Sequence, residues 1–600
     1  MYMAALINVL DKFQTGENGH TEYGWAKVKN NSVKNDSVKN DSVKNAIVQL
    51  SFQLVRGGNL NSLAGKFKDI LQILSCNINQ DETAAVVVAV SESQEYLTII
   101  CKLVAQTRDI IDGKGEYSLS YMLIFELYQF FPKQAEIILS RFFNLSVEDE
   151  VVHPYGSWKD IKYFCKYVFD KQLNEKCQIG EFALNLMVEQ LRKDELSNQS
   201  NQPISLVAKW CPREKCTKFG KFFSYMSKLY FKQYLDTATT PEKKVRAISK
   251  CNMEFRKVLS KLNHVLDTIQ IKQCAGDWAS INHSKTTSIT SMKQRKALLN
   301  LDKKGSIRSF VEDRIDCAEK YKEYLESLIR DGKEVKGKRI GLNDFTVQAI
   351  KLNNDFTESV QLEKDILNSQ WRDNASQTGP LGSIIPMVDV SGSMSGDPLH
   401  AAIALGIRVA EKSLLGKRVL TFSEKPDWHD LSSLSDFTDC VSSLQDAKWG
   451  MTTNFYEALQ KILNAIIIGK LTSEQTEGMI LAIFSDMQID AAMPPPHTNE
   501  SNKTNVTNSM KVLYEVMQEK YANAGMTLWG KPFSPPHILF WNLRSTSGFP
   551  VLTEQPNVTM FSGFSPALLN QFCNKGMDAL KEVNPWTQLV ESLDNPRYHF

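Results

Sequence analysis

Nowhere among the 600 residues is there an apolar run long enough to cross a bilayer, and the N-terminus carries no secretory leader. Membrane insertion and export are therefore not expected, and the anticipated setting is cytoplasmic; the sequence is silent on packaging in a viral particle. The 11 cysteines show no paired framework, which excludes a disulfide-built scaffold and implies free thiols in a reducing compartment. Cys211 and Cys216, in CPREKC, have no second Cys/His pair nearby and read as ordinary thiols rather than zinc ligands. Two glycines flank Lys114 in QTRDIIDGKGEYSL, but the segment lacks the GKS/T ending of a phosphate-binding loop, so nucleotide hydrolysis is not expected.

What remains is globular in composition, 42% hydrophobic and 23% charged, on a chain long enough for two or three domains. The net charge of +2 conceals an asymmetry. Residues 201–340 carry 30 Lys and Arg against 15 Asp and Glu, whereas residues 381–600 carry 16 against 22. A basic stretch on helices fits either a nucleic-acid surface or a solvated lysine-rich face, and composition does not choose between them.

Residues 27–45 contain SVKNDSVKNDSVKN, a five-residue polar repeat that matches neither the helical nor the strand period and reads as a flexible insert. From Ala46 to about Arg330 the apolar residues recur every three or four, as in SLSYMLIFELYQFF, WKDIKYFCKYVFD and GEFALNLMVEQLRK, which predicts stacked helices of a solenoid kind. Residues 331–380 are more polar, and SQTGPLGS reads as a linker. Beyond it, MVDV, RVLTFS, MILAIFS, HILFWNL and NVTMFS alternate with helical segments, which predicts a mainly parallel, doubly wound sheet; DWHDL suits an antiparallel edge strand. The expected division is an N-terminal segment over 1–45, a helical-repeat domain over 46–370 and an α/β domain over 381–600.

The chemistry concentrates in IIPMVDVSGSMSGD (384–397). An apolar strand ends in Asp389, and a Ser-Gly-Ser turn can bring the hydroxyls of Ser391 and Ser393 back beside the carboxylate, three hard oxygen donors of the kind Mg²⁺ or Mn²⁺ takes. Pro386 removes a ladder donor and is expected to mark the strand's start, leaving Met387 to Val390 ordered. WGMTTNFYEAL (449–459) supplies a loop with Thr452 and Thr453, and MILAIFSDMQ (479–488) ends in Ser485-Asp486. In an open α/β sheet such strand ends meet in one crevice, so donors far apart in sequence can share an ion.

This pattern resembles the von Willebrand factor A domain and its metal-ion-dependent adhesion site, whose DxSxS, Thr and Asp elements match Asp389, Ser391, Ser393, Thr453 and Asp486. Thr453 is preferred over Thr452 because the family's threonine usually precedes Asn or Asp, and Asn454 follows it. Taken with QTRDIIDGKGE, HPYGSWKDI and AKWCP, the chain from ENGHTEYG onward is similar to an uncharacterised family related to the TROVE proteins, the group of the Ro autoantigen. The resemblance implies HEAT-like helical repeats joined to an A-type domain, a bound Mg²⁺ or Mn²⁺, and RNA as partner. The expected function is thus a monomeric, non-enzymatic RNA-binding scaffold with a metal-dependent ligand site. A module binding an acidic protein ligand without RNA is the alternative, and a metal-dependent hydrolase using Asp490 or Glu424 as base is the weakest reading; His429, the histidine nearest the metal loops in sequence, is expected to face solvent on the edge strand.

Overall fold

The computed structural model describes residues 13–15, 21–25, 36–78, 84–172, 177–422, 426–445, 455–487, 507–546, 548–549, 557–570 and 584–600. The chain forms two compact units. One holds residues up to Ile100, Ser291–Lys293 and Gly332–Asn595; the other holds Cys101–Thr290, Gln294–Asp331 and Pro596–Phe600. This division departs from the boundary expected near residue 370. Among the described residues no helix is long and apolar enough to cross a membrane.

The first unit opens with an antiparallel hairpin of β1 (Phe13–Thr15) and β2 (Thr21–Tyr23). The second contains the hairpin of β3 (Leu145–Val147) and β4 (Glu150–Val152), whose turn places Glu148 and Asp149 at positive φ, as a tight two-residue connection requires. The rest of the second unit is helical. Its Lys159–Lys171 and Gln178–Gln199 helices pack together, and Gln178–Gln199 and Gly220–Tyr230 both pack on Pro241–Leu266.

The first unit is built on a mixed six-stranded sheet comprising β5 (Ile384–Asp389), β6 (Arg418–Phe422), β7 (Trp428–Asp430), β8 (Ile480–Ser485), β9 (His537–Asn542) and β10 (Val558–Ser562). The order is β10-β9-β8-β5-β6-β7, with every pairing parallel except the β6–β7 edge. Each predicted strand is present, and His429 sits half-buried on the antiparallel edge. The three central strands are apolar at nearly every position because both faces are covered. Ile384, Val388, Ile480, Phe484, Leu539 and Trp541 face a core that includes the Asp397–Lys412 helix. Ile385, Met387, Leu481, Ile483 and Phe540 face the opposite core, with Phe455–Ile468 and with Met517 and Tyr521 of Thr507–Trp529.

Three local expectations are corrected. Pro386 lies inside β5 rather than before it. The Ser383 carbonyl accepts from Ile480 of β8, so alternation along a parallel strand turns Pro386 toward β6, where pairing starts only at Met387. The proline's missing N–H thus falls where the ladder has not begun.

The polar repeat is helical from Asp36, within Asp36–Gln53. Its apolar continuation, with Ile47, Leu50 and Phe52 buried, packs on β10 and extends the helix back into the repeat. The helix end is held by side chains of the strands: Asn542 Nδ2 donates to the Phe52 carbonyl at 3.0 Å and Ser562 Oγ to that of Ser51 at 2.8 Å, satisfying carbonyls a helix terminus leaves open.

Residues 331–380 are structured too. The Leu342–Asn353 and Val360–Ala375 helices pack within the sheet's own unit. Arg408, fully buried, stacks over Trp371 at 4.1 Å and donates to Asn374 Oδ1 at 3.1 Å, and Leu381 N donates to the Lys412 carbonyl. The supposed linker is therefore pinned against the Asp397–Lys412 helix.

Candidate metal centre at the carboxyl ends of the strands

The site begins where β5 stops. Asp389 is completely buried, and one carboxylate oxygen accepts from the Ser391 backbone N–H at 2.9 Å, which folds the Ser-Gly-Ser turn back over the strand end. Ser391 Oγ lies 3.0 Å from Ser393 Oγ, so the two hydroxyls share a direction. Gly396, at φ +91, turns the chain into the helix that starts at Asp397, a backbone conformation that favours glycine. That helix lies tight on β5: a Cβ at Gly406 would stand 2.4 Å from Val388 Cγ2.

The neighbouring strand end completes the cluster. Ser485, the last residue of β8, donates its hydroxyl to the other Asp389 oxygen at 2.5 Å and accepts from Met487 N at 3.0 Å. Asp486 follows, fully buried. From the loop after β9, Arg544 Nη1 reaches 3.5 Å from Asp486 Oδ2 and 3.5 Å from the Ser393 carbonyl. β5 and β8 are neighbours at the point where strand order reverses, the place where ligands enter folds of this type.

Asp389, Ser391, Ser393 and Asp486 thus lie together at the ends of β5 and β8. Thr453, and with it Thr452, Asn454, Asp490 and Glu424, lies outside the described residues. Ser485 and Arg544 were missed as site residues. The Ser-Asp pair at the end of an apolar run could have signalled Ser485, whereas nothing local marks Arg544.

The electrostatics fit a cation. Burial pushes the Asp389 carboxyl up to about 6, the negative charge of Asp486 adds to the rise, and hydrogen bonds from Ser485 and Ser391 oppose it. Two carboxylates without solvent beside two hydroxyls form a donor set for a hard divalent ion, which would relieve the repulsion between them. Among the described residues no group of three or more His, Cys, Asp or Glu side chains is placed to hold a metal. The set around Asp389 is of another kind, half of it hydroxyl.

The loops singled out in the helical region meet elsewhere. Arg108 donates to both Asp160 oxygens at 2.8 and 2.9 Å, and Tyr121 Oη to Asp160 Oδ1 at 2.7 Å, all three buried. Gly156 is required there, since its Cβ would come within 2.8 Å of Asp160 Oδ2. QTRDIIDGKGE and HPYGSWKDI thus join through an ion pair that organises the unit.

Comparison with known proteins adds two likenesses. Residues 383–595 match a model described as a domain of unknown function, DUF7788, a span that runs from β5 to the Pro585–Leu593 helix. Over 513 residues the chain is 28% identical to an uncharacterized protein of Acanthamoeba polyphaga mimivirus, covering 83% of this chain and 80% of that one.

Proposed function

We propose that this protein is a non-enzymatic RNA-binding scaffold whose α/β domain is of the von Willebrand A type and holds Mg²⁺ or Mn²⁺ through Asp389, Ser391, Ser393, Thr453 and Asp486. The helical unit is read as HEAT-like and related to the TROVE proteins. A bound ion would keep one coordination position for an oxygen of a ligand, and the protein's part is to hold the donors at fixed spacing on the ends of rigid strands.

The observation that carries the RNA reading is a cluster of lysines around aromatic rings in the helical unit. Lys162 Nζ lies 5.0 Å from the Trp210 ring and 5.7 Å from that of Tyr163, and Lys159 lies 5.2 Å from Tyr117 and 5.5 Å from Tyr163. Lys209 faces Trp210 at 5.5 Å and Lys218 faces Tyr163 at 5.2 Å. None of these four lysines has an ion-pair partner among the described residues, and nearby Glu214 is engaged by Arg256 and Asn252. Burial holds the Lys162 ammonium below its usual range, and Lys159 and Arg213 press it further down, the signature of crowded positive charge lacking a counter-ion. A single strand answers both features, phosphates meeting the lysines and unpaired bases stacking on Tyr163 and Trp210.

The test is fluorescence anisotropy with an unstructured 15-nucleotide RNA and a blunt duplex. The single strand is expected to bind better, with log affinity falling against log salt at a slope of about −3 for four phosphate contacts. Trp210→Ala is expected to weaken binding by about 1–3 kcal/mol. Affinity that ignores salt, or none at 50 mM salt, overturns the reading.

A further inference from the structure

We infer that Arg544 is a tethered counter-cation of the Asp389 site, occupying in the metal-free protein the charge position that a divalent ion takes over. The inference rests on the metal reading above and concerns what competes for that site.

Asp389 and Asp486 bring two carboxylates to adjacent strand ends with no exposed surface on either. Charges so placed need compensation, and isolated buried carboxylates are among the costliest groups a protein can hold. Arg544 supplies it from outside the donor turn. Its guanidinium contacts the Asp486 carboxylate and the carbonyl of Ser393, the residue whose hydroxyl belongs to the donor set. Its side chain is 40% exposed while that of Asp486 is 0%, so the cation leans in from the mouth on a long, flexible stem. Both contacts are long, at 3.5 Å, whereas Arg108 holds Asp160 at 2.8 and 2.9 Å. Charge-assisted bonds of full strength run at about 2.7–2.9 Å, so these two contacts are weaker than the Arg108 pair.

A divalent ion bound by Asp486 and the Ser393 hydroxyl would stand within a few ångströms of the guanidinium. Two cations at that spacing repel, so metal entry and arginine engagement exclude each other. The side chain of Arg544 is 40% exposed, so a displaced guanidinium has solvent to move into. Arg544 thus screens the carboxylates when metal is absent and sets the affinity with which metal enters.

The experiment is a Mn²⁺ titration of the full chain, followed by calorimetry and by the paramagnetic relaxation of water protons, comparing wild type, Arg544→Gln, Arg544→Lys and Asp389→Ala. Removing the competing charge is expected to tighten Mn²⁺ binding about tenfold in Arg544→Gln, with Arg544→Lys between it and wild type. Without metal, Arg544→Gln is expected to melt below wild type and to gain more from saturating Mn²⁺. If wild type binds Mn²⁺ and Arg544→Gln binds it equally or more weakly, the competition is refuted while the metal site stands. If no variant binds Mn²⁺ at millimolar concentration, the metal reading fails and takes this inference with it.

Discussion

Arg597 and Asp109, 488 positions apart in the chain, form a bidentate ion pair at 2.7 and 2.8 Å inside the helical unit. Tyr598 Oη donates to the same carboxylate at 3.2 Å, and the Tyr155 hydroxyl donates to the Arg597 carbonyl. Asp109 and Tyr598 are fully buried. The segment Pro596–Phe600 is thereby fastened into the unit by charge and hydrogen bonds together.

Removing Arg597 takes the guanidinium from the fully buried Asp109 carboxylate, and removing Asp109 leaves Arg597 beside the more distant Asp112 carboxylate, at 3.6 Å. Arg597→Ala or Asp109→Ala is expected to destabilise the helical unit by about 3–5 kcal/mol, read from urea unfolding. Replacing both with apolar residues of similar volume should cost much less. If the double replacement is as damaging as either single one, desolvated charge is not what makes the pair critical.

The proposed metal centre predicts ligand-linked stability. Asp389→Ala and Asp486→Ala are each expected to abolish Mn²⁺ binding, and the wild-type chain should gain about 2.7 kcal/mol at a metal concentration 100 times Kd. Differential scanning calorimetry with and without chelator reads this directly. An identical melting point in both conditions counts against the site.

Acid sensitivity should have an identifiable source in His537. Burial pushes its imidazole down to about 4, although the hydrogen bond to Asn557 works in the opposite direction. The ring is held neutral in β9 between Asn557 Oδ1 and Thr559 Oγ1, each at 3.3 Å. Because the folded value lies below the ordinary one of 6.5, the unfolded chain takes up the proton first as pH falls. No effect is expected above about pH 6.5; between there and about pH 4 stability should fall by about 3 kcal/mol in all. His537→Phe removes this component, so the wild-type minus variant difference in unfolding free energy should change across that window and be flat above it.

Gly406 tests how closely the Asp397–Lys412 helix must approach β5. Its alanine variant meets Val388 and should lose about 1–3 kcal/mol to overpacking. Val388→Ala opens space at the same contact, so the double variant should recover part of the loss. Additive losses would show that the two residues do not press on one another.

How much of this was legible in the sequence follows the range of the interactions involved. The sheet strands were readable because two covered faces demand an apolar residue at nearly every position, as Ile384 to Val388 and Ile480 to Phe484 display. Asp389, Ser391 and Ser393 were readable because a strand end and the turn after it are local. The helix from Asp36 was not, since its first turns carry no amphipathic pattern and it is the packing of Ile47, Leu50 and Phe52 on the sheet that fixes it. The helices over 342–375 fall largely within the expected helical domain, but that they pack in the sheet's unit was not legible, because Asn368 and Asn374 are buried through hydrogen bonds to Thr438 and Arg408 that no composition window reveals.

By itself, then, the sequence determined periodicity, strand ends and the chemical kind of donor at each, because those are written in residues a few positions apart. Only the tertiary structure decided that Ser485 would grip Asp389, that Arg544 would lean toward Asp486, and that Arg597 would close on Asp109. Such partners are chosen by which buried charge needs an answer in space, a requirement that arises only once the chain has folded and water has been removed.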